Sequence, residues 1–588
     1  MATLSSEPTS VQSIYSWYRE GRLFVNRRYQ RKLVWTLEEK QKLIDSILKD
    51  YPIPAILLAE KEGRYEIIDG LQRLHAILSF IELAYASQDG RIFNLSFFPT
   101  AKSYHEEGLF LANAQGAELE NKQCSAILDY SLASSIMRNA VDSEINDVFN
   151  RINTYGHRLS DQERRQSGIQ SKFADLVREL ACEYRGDVSR ATLPLYEMPS
   201  ISIDLPKTRH GYDIKFEDVF WVNQGILRAT DLRDSLDEQC LSDIVACVVG
   251  QDLISRSKSA LDALYDPAHA EYNRIEAALE TYGPQKVSDE IKYCIEQILE
   301  VCAFEQPEKL RRIIFSNPTT NAFPSVFAVL LLAFHELIVG EQKVVADWSG
   351  LRKSLDNICD RMESGQGGAN PEQRRGNIDV IKGLISRHFT RDPKMAERIY
   401  ADHKVVDIES DIRRSTVETS CYELKQGVLD LTEGATDPRT MLSKIPMHIC
   451  AIANNGKGVG GKLMFGVCDS QADAERVKTL HGVEARHVGA KFIVGVRREA
   501  DAMAISVERY FQMIRDAIAG SGLSENLRSS VLATIDFNSY YGLGVIVIAI
   551  RPQEEMSYLN DDVYYRSGDQ TLKAQTAKEV GMVAARFR

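Results

Sequence analysis

The sequence predicts a multidomain α+β protein: an α/β module first, a helical middle region, and a second α/β region at the end. Three observations predict it. The chain has 588 residues, too many for one core at about 150 residues per domain. Short β-rich runs and helical apolar spacings mix over the first 170 residues, then give way to mostly helical spacing. From residue 403 onward strands and helices alternate again. The expected divisions are therefore 1–170, 171–402 and 403–588.

In the first division, residues 65–68 alternate and are rich in β-formers, which predicts a strand. Asp69-Gly70 ends it with a turn, and residues 71–83 have the apolar spacing of a helix. An Asp, a Gln and an Arg thus meet at a strand-to-helix corner. Free backbone N–H groups and the helix dipole favour an anion there. Arg73 can clamp a phosphate in bidentate fashion, Asp69 can hold a metal or a water, and Gln72 can orient a nucleophile. A turn, an N-cap and a surface Arg would account for the same residues, because such corners are common. Farther along this helix, His75 reads as a half-buried, hydrogen-bonded ring.

In the middle, residues 286–303 and 324–339 are spaced as helices. The longest apolar run, 326–337, contains His335 and Glu336 and is too short to span a bilayer. A polar, Gly-rich stretch at 363–376 predicts a mobile loop. No catalytic motif and no repeat of 20–50 residues is present, so the region reads as a scaffold.

In the last division, residues 420–426 and 462–467 read as strands and 544–550 as a central one. Residues 441–454 read as a helix, with Pro446 placed to delay its start. Glu423 and Lys425 fall on one strand face, Glu418 just precedes that strand, and Asp469 follows 462–467. Two Glu, one Asp and one Lys can bind a divalent cation, steady a phosphate and activate water, the equipment of metal-assisted phosphodiester hydrolysis. A surface strand with an i,i+2 charge pair and a turn Asp would explain them equally. The loop 456–463 nearly spells a phosphate-binding loop, but Leu463 replaces the required hydroxyl. It also follows a helix and opens a strand, the reverse of the required order, so it reads as a turn. His448, His481 and His487 have no carboxylate or Cys at metal spacing.

The net charge of −12 argues against a surface coated in nucleic acid, though a local basic groove is compatible with it. Arg19, Arg22, Arg27, Arg28, Arg31 and Lys32 form a candidate, interleaved with Tyr18, Phe24 and Tyr29. The ten cysteines form no CxxC pair and no zinc-spaced cluster, which predicts reduced thiols in a cytoplasm. The first ten residues lack the apolar core of a signal peptide.

Three separated segments resemble the DUF262 family, the ParB-like NTPase module of modification-dependent restriction and phage-defence proteins. Its Asp-Gly-Gln-Gln-Arg signature reads Asp69-Gly70-Leu71-Gln72-Arg73, with Leu71 in place of the first Gln. NRRYQRKLVW (26–35), Pro52-Ile53-Pro54 and VFNRINTYGHRLSDQE (148–163) match its other segments. The resemblance implies a nucleoside triphosphate cofactor, catalytic Asp69, Gln72 and Arg73, and nucleotide binding by Arg31, Gly70 and Asn153. Residues 418–425, 449–469 and 563–574 resemble the AlbA_2 domain of Schlafen-type proteins. That resemblance implies a nuclease centre in which Glu418, Glu423 and Asp469 hold Mg2+ or Mn2+ beside Lys425. The expected architecture is a ParB-like α/β module, a helical middle region and an AlbA_2-like α/β domain.

The expected function is phage defence: an NTP-hydrolysing, DNA-sensing module controls a metal-dependent nuclease acting on phage or modified DNA or RNA. A homo-oligomer or a partner defence subunit is expected, and no membrane. Two alternatives stand beside it: an NTP-regulated nucleic-acid-binding protein that does not cut, and a subunit working with a separate nuclease.

Overall fold

The computed structural model describes residues 3–26, 33, 35–107, 109–110, 112–155, 160–166, 169, 171–187, 192–198, 218–362, 370–400, 404–416 and 420–587. The protein is α+β throughout and divides into two compact units. One contains Met1–Ile291 and Glu308–Arg391, the other Lys292–Pro307 and Asp392–Arg588.

The first unit opens with a six-stranded mixed sheet. Its order is Thr3–Ser10, Ser131–Arg138, Ile56–Lys61, Arg64–Asp69, Leu23–Asn26, Thr192–Pro194. Ile56–Lys61 runs parallel to Ser131–Arg138, and Arg64–Asp69 runs parallel to Leu23–Asn26. Strand alternation sends Ile56, Leu58 and Ile67 to one core, shared with Leu71, Leu74 and Ile77 of the helix Leu71–Ile81. Leu57, Ala59 and Ile68 point the other way, against Ile145 and Phe149 of the helix Asp142–Tyr155. A strand covered on both faces is apolar nearly throughout, and this burial fixes where Asp69 emerges.

The helical remainder of this unit is organised around Leu236–Gly250, which buries Leu241, Ile244, Val245 and Val248. The same helix buries Asp237, Glu238 and Asp243. Arg185 donates to Asp237 at 2.5 and 2.9 Å, and Arg374 forks onto Asp243 at 2.7 and 3.0 Å. Arg374 also donates to the Ile254 carbonyl at 2.7 Å. Charges this deep persist only when paired and hydrogen-bonded. The helix Pro324–His335 is buried, as its apolar run predicts. The stretch 363–376 is not a loop throughout, because a helix runs from Pro371 to Ile385. Asn370 caps it by accepting from the Gln373 N–H, and Pro371 fills a first-turn position that needs no N–H donor. Residues 363–369 lie outside the described ones.

The second unit is built on a four-stranded sheet ordered Tyr422–Lys425, Gly461–Phe465, Val545–Ile550, Ile535–Asn538. The first pair is parallel and the others antiparallel. The helix Arg439–Ala453 covers one face, burying Ile445, Ile449 and Ile452 with Leu463, Phe465 and Ile548. Pro446 lies inside this helix rather than at its start. Packing on the sheet outweighs the one backbone bond that the proline removes. The expected strand 462–467 is interrupted at Gly466, whose φ is +102° and whose β-carbon would meet Gly495 at 3.0 Å. Val467–Cys468 then joins a separate sheet with Lys491–Ile493 and Arg486–Val488. The Gly-rich residues 456–460 do connect a helix to a strand, the order that excludes a phosphate-binding loop.

None of the ten cysteines forms a disulfide among the described residues. Burial pushes the Cys240 thiol up to about 12 and Cys247 to about 11 in the first unit. In the second it pushes Cys450 and Cys468 each to about 12. Among the described residues no helix is long and apolar enough to cross a membrane.

Glu296 carries a pH dependence. Burial, together with Glu300 one turn on, raises its carboxyl to about 7, against opposing pulls from Lys404 and the Val405 backbone. Its Oε2 is buried with no hydrogen-bond partner among the described residues. A carboxyl whose pKa rises on folding binds more protons folded than unfolded. Its contribution is therefore intact below the unfolded value of 4.5 and is lost as pH rises to about 7. Glu296→Gln is expected to flatten the stability profile across that window and to melt higher than the parent at pH 8. Thermal denaturation followed by circular dichroism at several pH values checks this.

Candidate functional site

The strand Arg64–Asp69 delivers Asp69 to its end, and the helix Leu71–Ile81 begins one residue later. Gly70 makes that turn with φ +100°. A β-carbon there would press on Ile56 at 3.2 Å and lie 3.4 Å from Arg73 Nη2, so the position needs glycine for both conformation and space. No side chain caps this helix, which leaves its first-turn N–H groups facing the corner.

Arg73 Nη2 donates to Asp69 Oδ2 at 2.7 Å and to the Ala55 carbonyl at 3.1 Å. The Asp69 side chain is 42% exposed and that of Arg73 12%. The corner thus presents an open carboxylate with a mostly buried guanidinium locked behind it. Arg73 Nε is buried and makes no hydrogen bond among the described residues. Gln72 Oε1 accepts from the Trp35 N–H at 3.2 Å, tying Trp35 to the corner. The third segment approaches through the helix Asp142–Tyr155, whose Ile145 and Phe149 pack on the strand's other face. Arg31 and the Asn153 side chain lie outside the described residues.

Behind the corner, Lys40 is buried, and burial pulls its ammonium down to about 8. Burial, and then Lys40, pull the His75 pKa down, and its Nδ1 makes no hydrogen bond among the described residues. His75 is therefore half-buried as expected, but its ring is neutral and its Nδ1 lacks the expected hydrogen bond among the described residues.

The basic, aromatic segment near the N-terminus is partly internal. Tyr18 and Phe24 are core residues. Arg19 is buried in an ion pair with Glu82 and lies over the rings of Tyr18, Tyr104 and Phe110. Tyr15 and Tyr18 also donate to Glu82, at 3.1 and 3.2 Å. Arg22 donates to the Gly63 carbonyl at 3.2 Å and lies over Trp17 and Tyr65. The amphipathic helix Val11–Arg19 turns its aromatic face inward, so these residues cannot stack on bases. Arg27, Arg28, Tyr29 and Lys32 lie outside the described residues.

In the second unit, Glu423 and Lys425 share a face as expected, with Lys425 Nζ 2.5 Å from Glu423 Oε1. Register places Glu423 beside Leu463, on the side covered by the helix Arg439–Ala453. Arg566, on the strand Tyr564–Ser567, donates Nη1 to Glu423 Oε2 and to Thr571 Oγ1, the latter at 3.0 Å. Its Nη2 donates to the Tyr422 carbonyl at 3.1 Å. His448 Nδ1 lies 3.2 Å from Thr571 Oγ1 and 3.7 Å from Glu423 Oε1. Burial works to raise the Glu423 pKa, but Lys425, His448 and Arg566 together hold it below the ordinary carboxylate range. Burial pulls His448 down to about 4, so its ring is neutral at pH 7.

Asp469 pairs instead with Lys491, at 2.6 Å. It sits past the Gly466 break and leaves the sheet that carries Glu423. Glu418 lies outside the described residues. Among the described residues no group of three or more His, Cys, Asp and Glu could hold a metal. Glu423 and Asp469 are each paired with a lysine of their own. Sequence reasoning missed His448 and Arg566. The partner of His448 is 25 residues away and reaches it only through the sheet. Arg566, by contrast, sits in the 563–574 segment that carries the AlbA_2 resemblance.

Residues 11–169 match the family described as the GmrSD restriction endonuclease, N-terminal domain. The match encloses the Asp69 corner, Trp35 and the helix Asp142–Tyr155. No curated protein and no solved structure matches the chain. Residues 11–169 are thus similar to a restriction-endonuclease N-terminal domain of the DUF262 type, a family that points to phage restriction and defence.

Proposed function

We propose that the N-terminal module binds and hydrolyses a nucleoside triphosphate at the Asp69 corner and thereby controls how the second unit acts on nucleic acid. The observation that carries this reading is the uncapped helix start, which sets Asp69, Gly70, Gln72 and Arg73 around one corner inside the matched residues. A phosphate placed there meets the N–H groups of the first turn and the Arg73 guanidinium. Asp69 is positioned to accept a proton from an attacking water, with Gln72 beside it. Arg31 and Asn153 belong to the same reading as further phosphate contacts. Nucleotide binding can act as a switch only by preferring one state of the protein.

Phosphate release from each of the four NTPs with Mg2+ tests the proposal. Asp69→Ala is expected to hydrolyse at least about a hundredfold more slowly, the scale of a lost general base. An unchanged rate with every NTP would refute it. The likeness of residues 11–169 to a restriction family makes DNA, plain and modified, the first polynucleotide to add.

For the second unit the AlbA_2 resemblance supports two readings. One is a nuclease with Mg2+ or Mn2+ at Glu418, Glu423 and Asp469 beside Lys425. In its favour, the cations around Glu423 keep it ionised. It depends on Glu418, because the described donors do not make the site. The other is nucleic-acid binding without cutting, alone or beside a separate nuclease subunit, and the pairing of Glu423 with Arg566 and Lys425 favours it. Strand cutting that needs Mn2+ and disappears in Glu423→Ala would support the first. Bound but intact strands would support the second.

A further inference from the structure

Among the described residues, the cluster around Glu423 has more positive than negative charge. Among these residues, the charged groups beside His448 are one anion, Glu423, and three cations, Lys425, Arg566 and Lys444. An ion pair kept only for packing needs one cation per carboxylate. Here Arg566, whose side chain is 1% exposed, already answers Glu423, and Lys425 adds a second cation to the same carboxylate. We infer that this cluster binds a phosphate group, not a divalent cation; the inference rests on the reading that the second unit acts on nucleic acid.

The two ligands make opposite demands. A divalent cation at Glu423 would have to displace Arg566 and leave a buried guanidinium without its carboxylate, which is strongly unfavourable. A phosphate breaks no existing pair. It adds acceptors where donors remain. The Lys425 ammonium has three protons and one carboxylate partner among the described residues, and its side chain is 25% exposed. Thr571 contributes a hydroxyl already held between Arg566 and His448. Lys444 is exposed, one helical turn before His448 on the same helix. The position agrees with the topology. Lys425 is the last residue of its strand, at the carboxyl edge of the parallel pair with Gly461–Phe465. That edge is where α/β sheets take ligands.

A phosphodiester of a nucleic-acid strand and the phosphates of a free nucleotide offer the same chemistry, so the experiment carries both. Full-length protein in EDTA is titrated into a fluorescein-labelled 20-nucleotide DNA and, separately, into mant-ATP on an Arg73→Ala background. The Lys425→Ala, Lys444→Ala double variant is compared with its parent, and near-ultraviolet circular dichroism confirms that it is folded. Thr571→Val serves as a second variant that leaves all charges in place. We expect EDTA-resistant binding that weakens at least tenfold in the double variant. For DNA, the slope of log affinity against log salt should fall by about 0.7–0.9 for each phosphate that the variant no longer neutralises. Weakening confined to DNA identifies a strand phosphate, and weakening confined to mant-ATP identifies a nucleotide. Unchanged affinity for both probes, or binding that appears only when Mn2+ is added, overturns the inference. Neither arm requires NTP hydrolysis, so a chain with no NTPase activity still reports on it.

Discussion

Arg73→Ala is expected to slow nucleoside triphosphate hydrolysis roughly ten- to a hundredfold, the effect of removing a charge-assisted hydrogen bond of about 1.5–3 kcal/mol. Arg73 is anchored by the Ala55 carbonyl and Asp69, so it is held in place before a ligand arrives. A preorganised fork loses little entropy on gripping phosphate. Arg73→Lys should therefore recover only part of the rate, because an ammonium cannot contact Asp69, Ala55 and phosphate in the same plane. Steady-state phosphate release together with nucleotide affinity separates weaker binding from slower chemistry. Wild-type rates in both variants would remove Arg73 from the mechanism.

Arg374→Ala is expected to destabilise the first unit by about 3 kcal/mol, since it leaves the buried Asp243 carboxylate only the longer pair with Arg256 at 3.4 Å. Arg374 and Asp243 are both buried, and the fork between them joins helices 131 residues apart. Replacing the whole cluster, as Arg374→Met and Arg256→Met with Asp243→Leu, should recover much of the loss, because an apolar set of similar volume needs no counter-charge. Urea denaturation of the three variants measures this. The exposed pair of Arg439 with Asp437 is the control; losing it should leave the midpoint unchanged. An Arg374→Ala midpoint equal to that of the control would show that the fork carries no stability.

The corner was legible because its parts are local. Strand, turn, glycine and helix lie within residues 64–81, and the periodicity changes from two to three-to-four at Asp69. The spacing of Glu423 and Lys425 was legible for the same reason, a strand repeat of two. What sequence could not supply was the partner of each charge. Arg19 reads as a surface cation until Glu82, 63 residues away, is folded against it. Asp469 reads as an open carboxylate until Lys491, 22 residues away, is folded against it. His448 reads as inert until the hairpin bearing Arg566 and Thr571 closes over it. The Pro446 reading failed differently, because tertiary packing overrode a local preference.

The buried thiols give the protein built-in reporters of its own opening. A thiol whose pKa is pushed to about 11 or 12 reacts with an alkylating reagent only after its surroundings part. Cys240 and Cys247 report on the helical core of the first unit, and Cys450 and Cys468 on the second. Pulsed alkylation followed by peptide mass spectrometry would thus time the loosening of each unit separately, in unmodified protein. Adding nucleotide to that measurement would show which unit it steadies.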